Sequence, residues 1–98
     1  MDSIRNNKHE VVGFMDDHHV YDNAYGVVGT FAEDTILDMQ SQIIARMDGN
    51  LIRDHLYRII GWADAGDIRD AMTFRIIGRA TDTGRKAACA AAYIAFFR

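Results

Sequence analysis

His9-Glu10-Val11-Val12-Gly13 is the stretch that decides the expected fold: a ring residue, any residue, two β-branched residues and glycine. The same pattern recurs in three further segments: Tyr25-Gly26-Val27-Val28-Gly29, Tyr57-Arg58-Ile59-Ile60-Gly61 and Phe74-Arg75-Ile76-Ile77-Gly78. The copies are 16 and 17 residues apart within two couples, and 48 to 49 residues apart between the couples. Because such repeats indicate an architecture of similar units, we predict that the chain consists of two related halves.

The segments between the pentads support this duplication. Asp16 to Asp22 and Asp64 to Asp70 share an aspartate at each end and an aliphatic residue between them. We therefore predict one domain, 1–98, with pseudo-repeats 8–48 and 55–98 and a flexible N-terminus, 1–7. Each half is expected to end in a helix, the first over 32–48 and the second beginning at Thr81-Asp82-Thr83.

β-branched pairs next to aromatic residues predict a strand at each pentad. Strict alternation would then place the four glycines on one sheet face, where a glycine often marks the close approach of another element, here a packed helix. The predicted fold class is α+β: an internally duplicated ββα-ββα chain, with a four-stranded antiparallel sheet and two helices on one face.

Two segments bear directly on this prediction. Residues 51–62 also fit the spacing of a helix, so an all-helical chain is the alternative; the match of Tyr57 to Gly61 with the other pentads favours a strand from about His55. In the last helix, Ala87, Ala91 and Ala95 form a smooth ridge that predicts a close-packed contact.

Composition limits the classes of function. Half of the residues are hydrophobic, which indicates a globular protein, and the single Cys89 permits no internal disulfide and favours a reducing, cytoplasmic location. No segment is apolar for long enough to span a membrane as a helix. The net charge of −3 disfavours nucleic acid as a partner. Catalytic and cofactor-binding signatures are missing from the sequence, so no cofactor is expected.

One set of residues is the strongest candidate for a binding face. Alternation would place the β-branched residues Ile60 and Ile77 away from the helices, together with an aromatic and three arginines. The complete set is Arg58, Ile60, Trp62, Arg75, Ile77 and Arg79. Arginine and tryptophan are enriched at protein interfaces, so we expect an oligomer interface; a site for a small anionic ligand is the alternative.

A second cluster could in principle bind a metal ion. It contains Asp16, His18, His19 and Asp22, whose imidazoles and carboxylates suit zinc. Adjacent residues rarely point at one ion, however, and aspartates in loops commonly bond to nearby backbone N–H groups. We therefore expect Asp16 and Asp64 to stabilise turns, with metal binding as the alternative.

These observations predict a non-catalytic protein that binds itself and another protein, with a homodimer preferred among the oligomers. It would act as a regulator or inhibitor by docking onto its partner. The alternative is a small enzyme or ligand-binding protein whose site for an anionic molecule lies between subunits.

Overall fold

The structure is a computed structural model that describes residues 1–80 and 84–98. In this part of the chain, ten strands form one closed antiparallel barrel in which each strand pairs with its neighbours in sequence and β1 pairs with β10. The strands are β1 Asp2–Asn6, β2 Val11–Met15, β3 His19–Asp22, β4 Val27–Ala32, β5 Thr35–Leu37, β6 Ile43–Asp48, β7 Leu51–Arg53, β8 Ile59–Asp64, β9 Asp67–Asp70 and β10 Ile76–Arg79. The predicted four-stranded α+β fold is therefore wrong.

The barrel consists of five hairpins, β1–β2 to β9–β10, rather than two duplicated halves. Each hairpin contributes one fully buried aliphatic side chain from its first strand, and these residues recur every 16 positions. They are Ile4, Val20, Ile36, Ile52 and Ile68. Because side chains on a strand alternate between two faces, this spacing directs one aliphatic residue from every hairpin into the barrel.

A β-bulge at the start of the second strand of every hairpin changes the expected alternation. In the first hairpin, Arg5 lies opposite Val11 while Ile4 lies opposite Gly13, so Val12 is left unpaired. The equivalent extra residues also pack against the core; they are Val28, Ile44, Ile60 and Ile77. An inserted residue shifts all later side chains to the opposite face. The extra residue of each bulge and the residue after it, which is glycine in four hairpins, therefore both face the interior of the barrel.

A helix occupies the centre of the barrel. It comprises α1, Lys86–Ala92, followed by a π-helical turn, Tyr93–Phe97. The alanines of α1 allow the strands to approach closely, and Ala91 is completely buried. The predicted close-packed contact of the alanine helix is therefore confirmed at Ala91. The proposed helix start at Thr81-Asp82-Thr83 lies outside the described residues.

The π-helical turn faces the hairpins one after another. A Cβ added at Gly78 would contact Tyr93, and at Gly61 it would contact Ile94; at Gly29 and Gly13 it would meet Phe96 and Phe97. The close approach of a helix to the glycines is thus confirmed. In this order, Ala95 faces the third hairpin, where Ala45 takes the place of the glycine. A π-helix turns less per residue than an α-helix, so five successive side chains can spread around five hairpins.

The third hairpin explains why the sequence prediction failed. Its Ser41-Gln42-Ile43-Ile44-Ala45 segment lacks both the ring residue and the glycine, so only four of five units were visible. The predicted helix over 32–48 is wrong because Ile36 and Ala45 are inward residues of β5 and β6, two strands that pair with each other.

The remaining sequence predictions have mixed outcomes. A strand rather than a helix within 51–62 is confirmed, although β8 begins at Ile59 and not at His55. The N-terminus, expected to be flexible, forms β1 and closes the barrel through its pairing with β10. No helix within the described residues is both long and apolar enough to cross a membrane.

Candidate functional site

Five similar turns, one in each hairpin, define one end of the barrel, which we call the Asx end. Each turn follows an Asx residue: Asn6, Asp22, Asp38, Asp54 or Asp70. In the fourth turn, Asp54 Oδ1 accepts hydrogen bonds from the backbone N–H groups of Leu56 and Arg58, at 2.8 and 3.0 Å. Such bonds satisfy backbone donors that the tight turn would otherwise leave unpaired.

The turns hold their ring residues in the left-handed backbone region. Tyr57 has φ 65°; its N–H donates to Asp54 O at 3.0 Å, and the Asp54 N–H donates to Arg58 O at 2.9 Å. This is a turn closed by a left-handed residue, a common three-residue hairpin connection. The fifth turn contains one additional residue between Asp70 and Phe74, which explains the 17-residue spacing.

Three of these rings, Tyr25, Tyr57 and Phe74, pack on an outward side chain of the preceding hairpin. Tyr25 stacks on Phe14 with ring centroids 4.7 Å apart, and Phe74 meets Trp62 edge-on at 5.3 Å. The guanidinium of Arg46 lies 4.9 Å from the centroid of Tyr57. A left-handed conformation costs most residues about 1–2 kcal/mol, so these contacts help to offset that cost.

The Asx end also concentrates the exposed apolar side chains of the molecule. Of the nine large hydrophobic residues that are well exposed in the described chain, all but Met1 lie in the turns of this end or directly after them. They are Tyr25, Val27, Met39, Leu56, Tyr57, Ile59, Met72 and Phe74, with Met72 94% exposed. A concentration of exposed apolar side chains at one end of a protein indicates an interaction site.

The centre of the same end is apolar as well. The chain of the central helix reaches this end at Ile94, Phe96 and Phe97, which are only partly buried. The bulge residues, from Val12 to Ile77, surround them and are also partly buried. The Asx end is therefore an apolar floor within a rim of five turns.

The carboxylates of Asp54 and Asp70 stabilise their turns in the charged form. Hydrogen bonds from the Thr73 N–H and from Arg98 hold the pKa of Asp70 far below its usual range. Burial alone would raise the pKa of Asp54, but the N–H groups of Arg58 and Leu56 and the Arg58 guanidinium outweigh it and lower the pKa. Among the other charged residues of the turns, Lys8, Arg58 and Arg75 outnumber the single Glu10.

The six residues of the predicted binding face are not brought together. Arg58 and Arg75 lie on two turns of the Asx end, and Arg58 Nε pairs with Asp54 Oδ2 at 2.8 Å. Ile60 and Ile77 are bulge residues that pack against the core. Trp62 and Arg79 lie on the outer wall, where Trp62 meets Phe74 and Arg79 pairs with Asp67 at 2.7 Å. The apolar sheet face that suggested a homodimer does not exist, because the bulges turn its aliphatic residues inward.

The histidine cluster lies at the opposite end of the barrel. Asp16 Oδ1 accepts hydrogen bonds from the N–H groups of His18 and His19, at 2.9 and 2.7 Å, and Oδ2 accepts one from the Tyr21 hydroxyl. The His18 N–H and the Tyr21 hydroxyl lower the pKa of Asp16 to about 2. The predicted turn-stabilising role of Asp16 is confirmed.

The other two predictions for this loop have different outcomes. Asp22, the remaining metal candidate, stabilises the second turn of the Asx end instead of joining the cluster. Asp64 was expected to stabilise a turn, but its carboxylate pairs with Arg69 at 2.9 Å. No group of three potential metal ligands occurs within residues 1–80 and 84–98.

Comparison with known proteins agrees with the geometry. The model of the 5-fold beta-flower protein family matches residues 1–98, so the chain belongs to this family. No curated protein and no solved structure matches the chain. The five hairpins around one helix account for the fivefold description, and they replace the α+β class expected from the sequence.

The sequence analysis missed the apolar residues of the turns. Met39, Leu56 and Met72 lie outside the pentads and carry no pattern of their own. The signal that could have located them is the Asx residue every 16 positions from Asn6 to Asp70, which marks all five turns, including the one without a ring residue.

Proposed function

We propose that this protein is a non-catalytic binding module that docks onto a partner protein through the Asx end of its barrel. The observation that carries the proposal is the concentration of exposed apolar side chains at this end. A rim of aromatic, leucine and methionine side chains around an apolar floor has the composition of an interface core, in which aromatic residues and methionine are enriched.

The charges of the rim suggest the chemistry of the partner. Lys8, Arg58 and Arg75 lie on the turns, where Glu10 and the four Asx aspartates carry the opposite charge, and Arg58 pairs with Asp54. Interfaces pair opposite potentials, which favours association with the correct partner. We propose a partner surface that is apolar at its centre and carries charges of both signs at its edge.

The proposal can be tested with a variant that makes the rim polar without disturbing the fold. Leu56 is 60% and Met72 94% exposed, so replacing both with glutamate should cost little stability. The protein would be immobilised and used to capture proteins from its native cells. We expect the wild type to retain a discrete partner and the Leu56→Glu, Met72→Glu variant to lose it.

A matched control carries the same chemical change at the other end of the barrel. Ala32 is exposed at the end of β4, remote from the five turns, and Ala32→Glu should retain the partner. Recovery of the same proteins by all three forms would contradict the proposal. Light scattering on the free protein would show whether the partner is a second copy, because self-association through this end would also disappear in the double variant.

Two features of the sequence-based prediction remain proposals. A role as a regulator or inhibitor is compatible with docking alone, since no catalytic step is required. A cytoplasmic location is supported by Cys89, which is buried and packs with its sulfur 3.9 Å from that of Met15.

A further inference from the structure

A second site lies on the outer wall of the barrel, between the third and fourth hairpins. It is a pocket of about 260 Å³. Its walls are Asp34, Thr35, Arg46, Met47, Asp48, Arg53 and Tyr57. Apart from the Tyr57 ring, this pocket shares nothing with the docking surface proposed above, so it raises a separate question of function.

The arrangement of its two arginines is electrostatically unfavourable in the protein alone. Arg46 on β6 lies directly opposite Arg53 on β7. On its other side Arg46 faces Thr35, which carries no charge. Like charges directly opposite each other on neighbouring strands destabilise a sheet. Asp48 lies near Arg53 and offsets part of this repulsion, and an anion beside Arg46 would offset the rest.

Arg46 also lacks a carboxylate partner. Within the described residues, none of the ion pairs involves Arg46, and its buried Nε has no hydrogen-bond partner. Arg53 is held within its own hairpin, because its Nη1 donates to the Tyr57 carbonyl oxygen at 2.9 Å and its Nε lies 3.6 Å from Asp48. A buried donor without a partner costs about 1–3 kcal/mol, which an incoming acceptor would recover.

The fifth hairpin provides an internal comparison. Arg79 occupies the position on β10 that Arg46 occupies on β6, and its Nε is likewise without a partner. Arg79 likewise lies opposite an arginine, Arg5 on β1, but its other neighbour is Asp67, and its Nη1 donates to Asp67 Oδ1 at 2.7 Å. The same position is therefore neutralised by the protein in one hairpin and left with unpaired positive charge in the other.

We infer that the pocket of Arg46 and Arg53 binds a small oxyanion, of the class of inorganic phosphate and phosphomonoesters. Asp34 and Asp48 also line the pocket, and Asp48 partly offsets Arg53, so the donors come mainly from Arg46, whose fork matches the oxygens of a phosphate group. Thr35 lines the pocket and supplies a hydroxyl donor. The Tyr57 ring, held beside Arg46, offers an apolar wall to the organic part of a phosphomonoester.

The test is a titration of the isotope-labelled protein with inorganic phosphate and with phenyl phosphate, followed by NMR at constant ionic strength. Saturable shifts are expected at the Nε–H groups of Arg46 and Arg53, and phenyl phosphate should bind more tightly than phosphate. Acetate, which has fewer oxygens to accept hydrogen bonds, should bind more weakly than phosphate.

Two variants distinguish this pocket from general attraction of anions. Arg46→Met should weaken phosphate binding at least tenfold, whereas Arg79→Met, which removes the same charge at the equivalent position, should change it less than twofold. Arg46→Lys keeps the charge but not the fork, so intermediate affinity is expected. Equal weakening by Arg46→Met and Arg79→Met, or shifts spread over all arginines, would overturn the inference.

Urea unfolding of the wild type and of Arg46→Met provides a second test of the phosphate site. Without phosphate, Arg46→Met should unfold at a urea concentration no lower than the wild type, because it removes the like-charge pair and the unpaired Nε. Added phosphate should raise the midpoint of the wild type and leave that of Arg46→Met unchanged. A midpoint of Arg46→Met that rises equally with phosphate would contradict the site.

Discussion

The third hairpin differs from the other four in its turn residue and in the strand residue that faces the helix. Its turn carries Ser41 where three others carry a large aromatic ring, and its second strand carries Ala45 where the others carry glycine. On the outer wall it presents Arg46, unpaired by any carboxylate of the described chain, where the first and fourth hairpins present Phe14 and Trp62.

These differences come in matched pairs. Ser41 has the same position relative to Thr30 of the second hairpin as Tyr25 has relative to Phe14. A small turn residue therefore accompanies a small residue on the outer wall. Ala45 accompanies Ala95, the smallest side chain of the π-helical turn. The barrel therefore tolerates a divergent hairpin because changes at one position are compensated by the contacting element, as close packing requires.

The largest loss of stability is expected when a regular hairpin receives the alanine of the third hairpin. Gly29→Ala would place a Cβ against Phe96 and 2.5 Å from the carbonyl oxygen of Leu37, which belongs to the backbone and cannot move away. We expect a loss of about 3 kcal/mol or more, at the upper limit of overpacking. Urea unfolding followed by circular dichroism would measure it.

The reverse change provides the control. Ala45→Gly removes one buried methyl group and adds backbone freedom, which together should cost about 1–2 kcal/mol. Similar losses for both variants would mean that glycine and alanine are interchangeable at this position and that the fit to the helix does not select them.

A double-variant cycle tests the pairing of Ala45 with Ala95. Ala95→Phe should lose about 1–3 kcal/mol, because the larger ring would meet the Cβ of Ala45. Combining it with Ala45→Gly recreates the pair found in the second hairpin, so the double variant should be more stable than the sum of the single losses predicts. Strictly additive losses would place Ala95 opposite another residue.

The turns differ in their dependence on acid. The pKa of Asp70 is depressed by the Thr73 N–H and Arg98, so the carboxylate stabilises the fold fully above its unfolded pKa near 3.8. This contribution is lost as pH falls from that value through the folded pKa. The Asp70→Asn variant should therefore be less stable than wild type at pH 6 and lose less stability between pH 5 and pH 2.

Asparagine is a suitable replacement because Asn6 occupies the same position in the first turn, where its Oδ1 accepts two backbone hydrogen bonds. Urea midpoints measured at several pH values would give the slopes. Parallel pH profiles for wild type and Asp70→Asn would show that the acid sensitivity arises elsewhere.

The smallest effect is expected at the turn residue that lacks a ring. Ser41 has φ 63°, which glycine adopts without steric cost, and Ser41→Gly should stabilise the protein by about 0.5 kcal/mol. Tyr25→Gly relieves the same strain but removes the stack on Phe14, so it should not stabilise. Differential scanning calorimetry would rank the variants; stabilisation by Tyr25→Gly would mean that the stack contributes nothing.

The sequence alone determined much of the local structure. The β-branched pairs begin strands β2, β4, β8 and β10, the glycines mark the approach of a helix, and Ala91 is packed tightly. These features depend on residues that are close in sequence, or on the size of the side chain at a single position.

Only the tertiary structure decided the number of hairpins, the closure of the barrel and the sites. Ser41 and Ala45 can be recognised as members of the repeat only beside their small partners, and β1 becomes a strand through its pairing with β2 and β10. The bulges reversed the faces assigned to Ile60 and Ile77, since one unpaired residue inverts the alternation on which those assignments rested. The pocket of Arg46 and Arg53 arises from the pairing of β6 with β7, a register that side-chain periodicity does not specify.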